Sequence, residues 1–180
     1  MKTTVPVLLL VGLLGGCDRK AKDPLLVEWP GSKLLLALAE APLEAVTAGN
    51  TNHVYRLICK RSLHAPFCIV LRVDPEGGGT LTRKILSPDG KQIVEQRDIA
   101  LGSAKVQDVV SLVRQMDFWQ LPSGQRVSEK GLDGAQWYLE AVQGGRAHLV
   151  SQWSPADDSA VGRIGRRLIE LADWKSERVY

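Results

Sequence analysis

Two alternating runs, Ala135–Val142 and Arg146–Trp153, meet at Gly144-Gly145. A two-residue glycine link between alternating runs closes a tight antiparallel hairpin, because both turn positions need a backbone twist that glycine adopts without steric cost. Trp137, Leu139 and Ala141 share one side of the first run, and Ala147, Leu149 and Trp153 share one side of the second. The next residues, Ser154-Pro155-Ala156-Asp157, predict a helix start with Ser154 as cap and Pro155 as the first helical residue. Val161, Ile164, Leu168 and Leu171 form its inward stripe. Gly162 and Gly165 each weaken such a helix by up to about 1 kcal/mol relative to alanine. Their presence makes sense if the helix lies very close to the sheet.

Upstream, His53–Cys59, Cys68–Val73, Thr80–Ser87 and Ile93–Leu101 read as four more strands. The loop Asp74–Gly79 and the turn Ser87-Pro88-Asp89-Gly90 separate three of them. Ser103 is placed to cap a helix whose stripe is Val106, Val109, Val110, Val113 and Met116, ended by Leu121-Pro122. Lys33–Glu40 carries strong helix formers but must stop or kink before Pro42. Short strand-to-strand links with late helices predict an α+β domain over residues 32–180. Its expected form is a mostly antiparallel sheet of about six strands with two main helices on one face.

The amino terminus reads as an address. Lys2 is followed by an aliphatic core from Val5 to Leu14, too short to cross a bilayer as a helix and suited to a secretory signal. Leu14-Gly15-Gly16-Cys17 resembles the bacterial lipobox. The resemblance implies a signal peptide over residues 1–16, lipid attachment to the Cys17 sulfur, acylation of the new amino terminus and a tether over 17–31. Several acyl chains anchor firmly, at about 0.8 kcal/mol per buried CH₂. In some Gram-negative bacteria an Asp directly after the lipidated cysteine favours the inner membrane, so the resemblance implies through Asp18 an inner-membrane anchor with a periplasmic domain.

With Cys17 assigned to lipid, Cys59 and Cys68 remain as an even pair in an oxidising compartment, which predicts a disulfide. Two buried free thiols are the alternative. A bridge across a hairpin sets Leu57 against Val70, Ile58 against Ile69 and Val54 against Val73, and fixes which side of each strand faces the core.

Chemistry is sparse. The chain has 23 Lys and Arg against 20 Asp and Glu, a net charge of +3, too slight for the concentrated basic face of a nucleic-acid module. Its three histidines, His53, His64 and His148, lack the spacing of a metal site, so neither metal nor cofactor is expected. No Gly-x-Ser-x-Gly elbow occurs, and Gly77-Gly78-Gly79 precedes a strand where a phosphate loop would precede a helix. Carboxylate pairs such as Asp133 with Glu140, or Asp157 with Asp158, are of a kind any acid-bearing chain offers. Arg163, Arg166 and Arg167 form a basic side of the last helix, either for anionic lipid headgroups or as a solvated face with an Arg166–Glu170 pair. Trp119, Trp137, Trp153 and Trp174 either line a ligand groove or pack the core.

Gly131-Leu132-Asp133-Gly134-Ala135-Gln136-Trp137, then Gly144-Gly145-Arg146, His148 and Trp153-Ser154-Pro155, is similar to a motif set in small uncharacterised bacterial proteins. Those proteins often carry a segment like Phe118–Pro122 as well. The resemblance spans roughly residues 50–172 and implies architecture, with Asp133-Gly134 as a turn and Trp153-Ser154-Pro155 as a corner. A functional reading gathers Asp133, Trp137, His148 and Trp153 around one ligand or partner surface, although alternation separates His148 from Trp153. The expectation is a lipid-anchored, non-catalytic binding domain of the envelope, with an envelope protein or ligand as partner. The alternative is a small hydrolase using acid/base carboxylates.

Overall fold

A computed structural model describes residues 31–48, 53–125 and 133–174. The signal segment, Cys17, most of the tether, and Gly131 and Leu132 of the motif set lie outside them. Two short helices, α1 (Gly31–Ala37) and α2 (Leu43–Ala48), precede the strands β1 (Val54–Arg61), β2 (Phe67–Val73), β3 (Gly79–Leu86) and β4 (Ile93–Leu101). Then come α3 (Ser103–Gln115), a 3-10 turn (Phe118–Gln120), β5 (Gly124–Gln125), β6 (Ala135–Gln143), β7 (Arg146–Trp153) and α4 (Ala160–Leu171). One sheet runs β4-β3-β2-β1-β6-β7-β5, antiparallel throughout except for the short β5, which lies parallel to β7. The expected α+β fold is what the chain adopts, with β5 a strand that its two residues were too few to announce.

Central strands are apolar on both sides because both sides are covered. On one face, Tyr55, Leu57, Phe67, Ile69, Leu71, Trp137 and Leu139 meet Val106, Val109 and Val113 of α3 and Ile164 and Leu168 of α4. On the other, Val54, Ile58, Val70, Tyr138 and Val142 meet Leu35 and Leu38 of the α1 segment. The two main helices thus share one face as expected, and the amino-terminal segment closes the other. Edge strand β4 carries exposed Glu95, Gln96, Arg97 and Asp98, charge that discourages pairing with another sheet.

The β1–β2 register corrects the one derived from the cysteines. Leu57 lies opposite Ile69, Ile58 opposite Cys68 and Cys59 opposite Phe67, one residue away from the expected pairing. A shift of one reverses sides, so Cys59 belongs to the α3/α4 core and Cys68 to the α1 core. Both thiols are free and buried, and burial pushes the pKa of each upward. A bridge between them needs Cβ vectors that converge, and here they point to opposite faces. Folded protein should therefore resist alkylation at Cys59 and Cys68, and the unfolded, unreduced chain should take up label at both. An intramolecular Cys59–Cys68 bond in the mass spectrum would overturn this register.

Helix starts also differ from the sequence reading. Gly102, not Ser103, is the cap residue of α3 and offers no side-chain bond. The last helix begins later than Ser154 suggested: Ser159 is its cap, accepting the Gly162 N–H at 3.0 Å. Ser154 instead sits at φ 37° and its Oγ accepts the Ala135 N–H at 3.1 Å, pinning the corner to the start of β6. The helix read over Lys33–Glu40 runs from Gly31 to Ala37 and stops before Pro42 as expected, and the Pro42 carbonyl starts α2 by accepting the Ala45 and Val46 N–H groups.

Candidate functional site

The four residues proposed for one surface do not come together. Trp137 is fully buried between the sheet and α4, with the Arg166 guanidinium 5.7 Å from its ring centroid. Trp153 pairs with Gln136 and so points to the opposite face, where its ring closes over Gly134. Asp133 is exposed beside that glycine. His148 pairs with Ala141 near the hairpin tip, on the side of Trp137 but four positions along the strand. The motif set therefore builds a corner: Gly134 admits the Trp153 ring, and Ser154 ties the corner to β6.

His148 belongs to a different constellation. Its ring meets Phe118 edge-on at 5.1 Å and Trp119 at 6.1 Å, and its Nδ1 lies 3.0 Å from Ser123 Oγ. Desolvation lowers its pKa and Arg146 adds to the effect, while a hydrogen bond to the Leu121 backbone opposes it; the balance favours the neutral ring. Nε2 is buried without a hydrogen-bond partner. A serine nucleophile requires a base whose second nitrogen is oriented by a third group. Here Nε2 has no such group; Ser123 and His148 are joined by one hydrogen bond, beside the Trp119 ring that lines a cleft.

The cleft has a volume of about 320 Å³ and is lined by Val110, Val113, Arg114, Trp119, Gln143 and Arg146. Each wall follows from local structure. Val110, Val113 and Arg114 recur at three- and four-residue spacing, which brings them to one side of α3. Asp117, at φ 48°, ends that helix and swings the chain into the 3-10 turn that presents Trp119. Gly144 and Gly145, at φ 56° and 75°, close the hairpin so that Gln143 and Arg146 stand opposite each other. Arg146 donates to the Trp119 carbonyl at 2.9 Å and lies 4.9 Å from the Trp119 ring centroid, which fixes its guanidinium at the opening. In the sheet beneath α3, Tyr55 is buried with its hydroxyl unpartnered; burial raises its pKa to about 12 against the opposing field of Arg114. Trp119 was within reach of the sequence reading. Arg146 was named only as part of the motif set and Arg114 not at all, since only the tertiary fold brings them together.

A second polar cluster lies on the α1 face. Arg56 of β1 pairs with Glu140 of β6 and, at 3.4 Å, with Glu40; Lys84 of β3 reaches Glu40 at 2.7 Å and Arg72 of β2 reaches it at 3.1 Å. Lys84 also donates to the Leu38 carbonyl at 2.8 Å, and Arg56 to that of Ala41 at 2.8 Å. Ala39, at φ 51°, makes the bend that delivers Glu40 into this socket. The cluster fastens the amino-terminal segment to the middle of the sheet.

The basic side of α4 is altered in the same way. Arg166 pairs with Asp157, and Arg167 with Asp108 at 2.9 Å and Glu170 at 3.1 Å, in place of the Arg166–Glu170 pair expected. Arg163 is exposed. Two of the three arginines assigned to headgroups are thus bound to acids of the domain itself. Among the described residues no helix is long and apolar enough to cross a membrane, and no three His, Cys, Asp or Glu side chains gather as a metal set. No protein-family model and no curated protein matches the chain.

Proposed function

We propose that the chain is a lipid-anchored periplasmic protein of the bacterial envelope, held to the inner membrane at Cys17, whose domain is a non-catalytic binding module. The observation that carries the binding role is the cleft at the hairpin tip. Its lining joins two guanidinium groups and an amide to an indole and two valines, with no acid among the described residues that line it. Such a lining suits a small organic oxyanion: the arginines supply charge-assisted hydrogen bonds and the valines take an apolar body. The lipobox-like Leu14-Gly15-Gly16-Cys17 supports the anchor, and the motif set of the hairpin and corner supports kinship with small bacterial proteins that share it.

Acetate and benzoate, set against acetamide and benzamide, test the cleft in nitrogen–proton correlation spectra. The carboxylates should shift the Trp119 indole N–H while the amides leave it in place, and benzoate should bind more tightly than acetate. Arg114→Gln should weaken benzoate about tenfold, the loss of one charge-assisted bond. Equal shifts from acids and amides, or none from either, would remove the cleft from the proposal.

A further inference from the structure

Three large apolar side chains stand out as exposed among the described residues: Leu36 at 80%, Leu63 at 67% and Val94 at 63%. Val94 is on edge strand β4. The other two belong to one region. Leu63 sits in the β1–β2 turn, which lines an open groove of about 680 Å³ together with Lys33 and Leu34 of α1 and Lys60 of β1. Leu36 follows Lys33 by one helical turn.

This turn is a built structure. Arg61 donates through Nε and Nη2 to the Ala65 carbonyl, at 2.9 and 2.6 Å, and stacks 5.4 Å from the Phe67 ring centroid. The Ser62 N–H is bonded to the Gly134 carbonyl at 2.9 Å. Leu63 is therefore held outward by a fixed backbone. Lys33 and Lys60 flank it, both exposed. The acid in the groove lining, Asp89, is already engaged by Lys91 at 3.2 Å and by Ser87. Among the described residues neither lysine is paired with an acid, so the region offers leucines beside two free positive charges, the composition of a surface that dips into a negatively charged lipid interface.

Position agrees with charge. Thirteen residues separate Cys17 from Gly31, the start of α1, so the chain joins the domain at the helix that forms one wall of this groove. The arginines of α4 lie across the sheet from α1, and two of them are paired with acids.

We propose that the β1–β2 turn and the outer side of α1, through Leu63, Leu36, Lys33 and Lys60, seat the domain on the anionic lipid leaflet that holds the acyl chains of Cys17. This inference rests on the anchor reading. It replaces the α4 arginines as the lipid-facing surface and sets the orientation of the hairpin cleft relative to the bilayer.

Lipidated full-length protein carrying Leu63→Cys or Arg163→Cys, labelled with a polarity-sensitive dye, tests it in vesicles of phosphatidylethanolamine and phosphatidylglycerol containing spin-labelled lipid. Cys59 and Cys68 are buried and should escape labelling in the fold. The protein should float with the vesicles, the dye at 63 should be quenched and the dye at 163 should not. Lys33→Glu with Lys60→Glu should leave flotation intact and reduce quenching at 63, at about fivefold in contact equilibrium for each lysine lost. Flotation without quenching at 63 overturns the surface and leaves the anchor standing. Failure to float overturns the anchor and the surface with it. Equal quenching in vesicles of phosphatidylcholine alone overturns the role of anionic lipid.

Discussion

Glu40→Ala should lower the unfolding free energy by about 3–5 kcal/mol, the usual effect of removing one partner from a buried ion pair. Glu40, Arg56 and Lys84 have side chains between 3% and 9% exposed, so water cannot take the place of the lost carboxylate. Lys84 would keep its bond to the Leu38 carbonyl, but its charge would be left without a counterion in a low-dielectric setting. Arg56 would retain Glu140, with its Nη2 already lacking a partner. The neighbouring surface makes a useful control. Lys91→Ala, at an exposed pair with Asp89, should change stability by well under 1 kcal/mol. Urea titration measures both. A loss below about 1 kcal/mol for Glu40→Ala would mean that the socket is open to solvent and that the segment before β1 is only loosely held.

Gly165→Ala is the second change with a large expected effect. A Cβ built at Gly165 stands 2.5 Å from Cζ3 and 2.8 Å from Cε3 of Trp137, closer than real carbon contacts allow. Trp137 is fully buried and its ring cannot swing aside without displacing Leu57 and its neighbours, so the added methyl should cost about 1–3 kcal/mol by overpacking. On propensity alone the same change would stabilise the helix by about 1 kcal/mol. The two contributions have opposite sign, and they separate in a double-mutant cycle. In a Trp137→Leu background the methyl has room, and Gly165→Ala should become neutral or stabilising. If the cost persists unchanged in that background, the contact with Trp137 is not its cause.

That pair of glycines also shows what the sequence could reveal. Gly162 and Gly165 make sense if α4 lies very close to the sheet: that holds for Gly165, whose Cβ would meet Trp137, whereas at Gly162 a Cβ would meet the Ala156 carbonyl of the loop before the helix. The Gly144-Gly145 hairpin, β4 and the valine stripe of α3 were equally legible, because each depends on neighbours in sequence. The cysteine register was not. Two apolar faces make a strand read the same in either register, so the alternation that normally decides sides was silent in β1 and β2. Counting cysteines filled that silence with a bridge that the actual pairing sets on opposite faces. The cleft was half legible: Trp119 stood out as one of few aromatics and Arg146 as part of the motif set, whereas Arg114 looks like any surface cation until α3 and the hairpin tip meet. The ion socket escaped because Arg56, Arg72 and Lys84 come from three strands and Glu40 from the bend after α1.

The way Glu40 is held bears on mechanics. A pull applied at α1 passes from the Glu40 bend by Lys84, Arg72 and Arg56 into three adjacent strands at once. Such a load is divided among β1, β2 and β3, while α3 and α4 lie on the opposite face of the sheet. The cleft, lined from α3, the 3-10 turn and the hairpin tip, takes none of its described residues from that path.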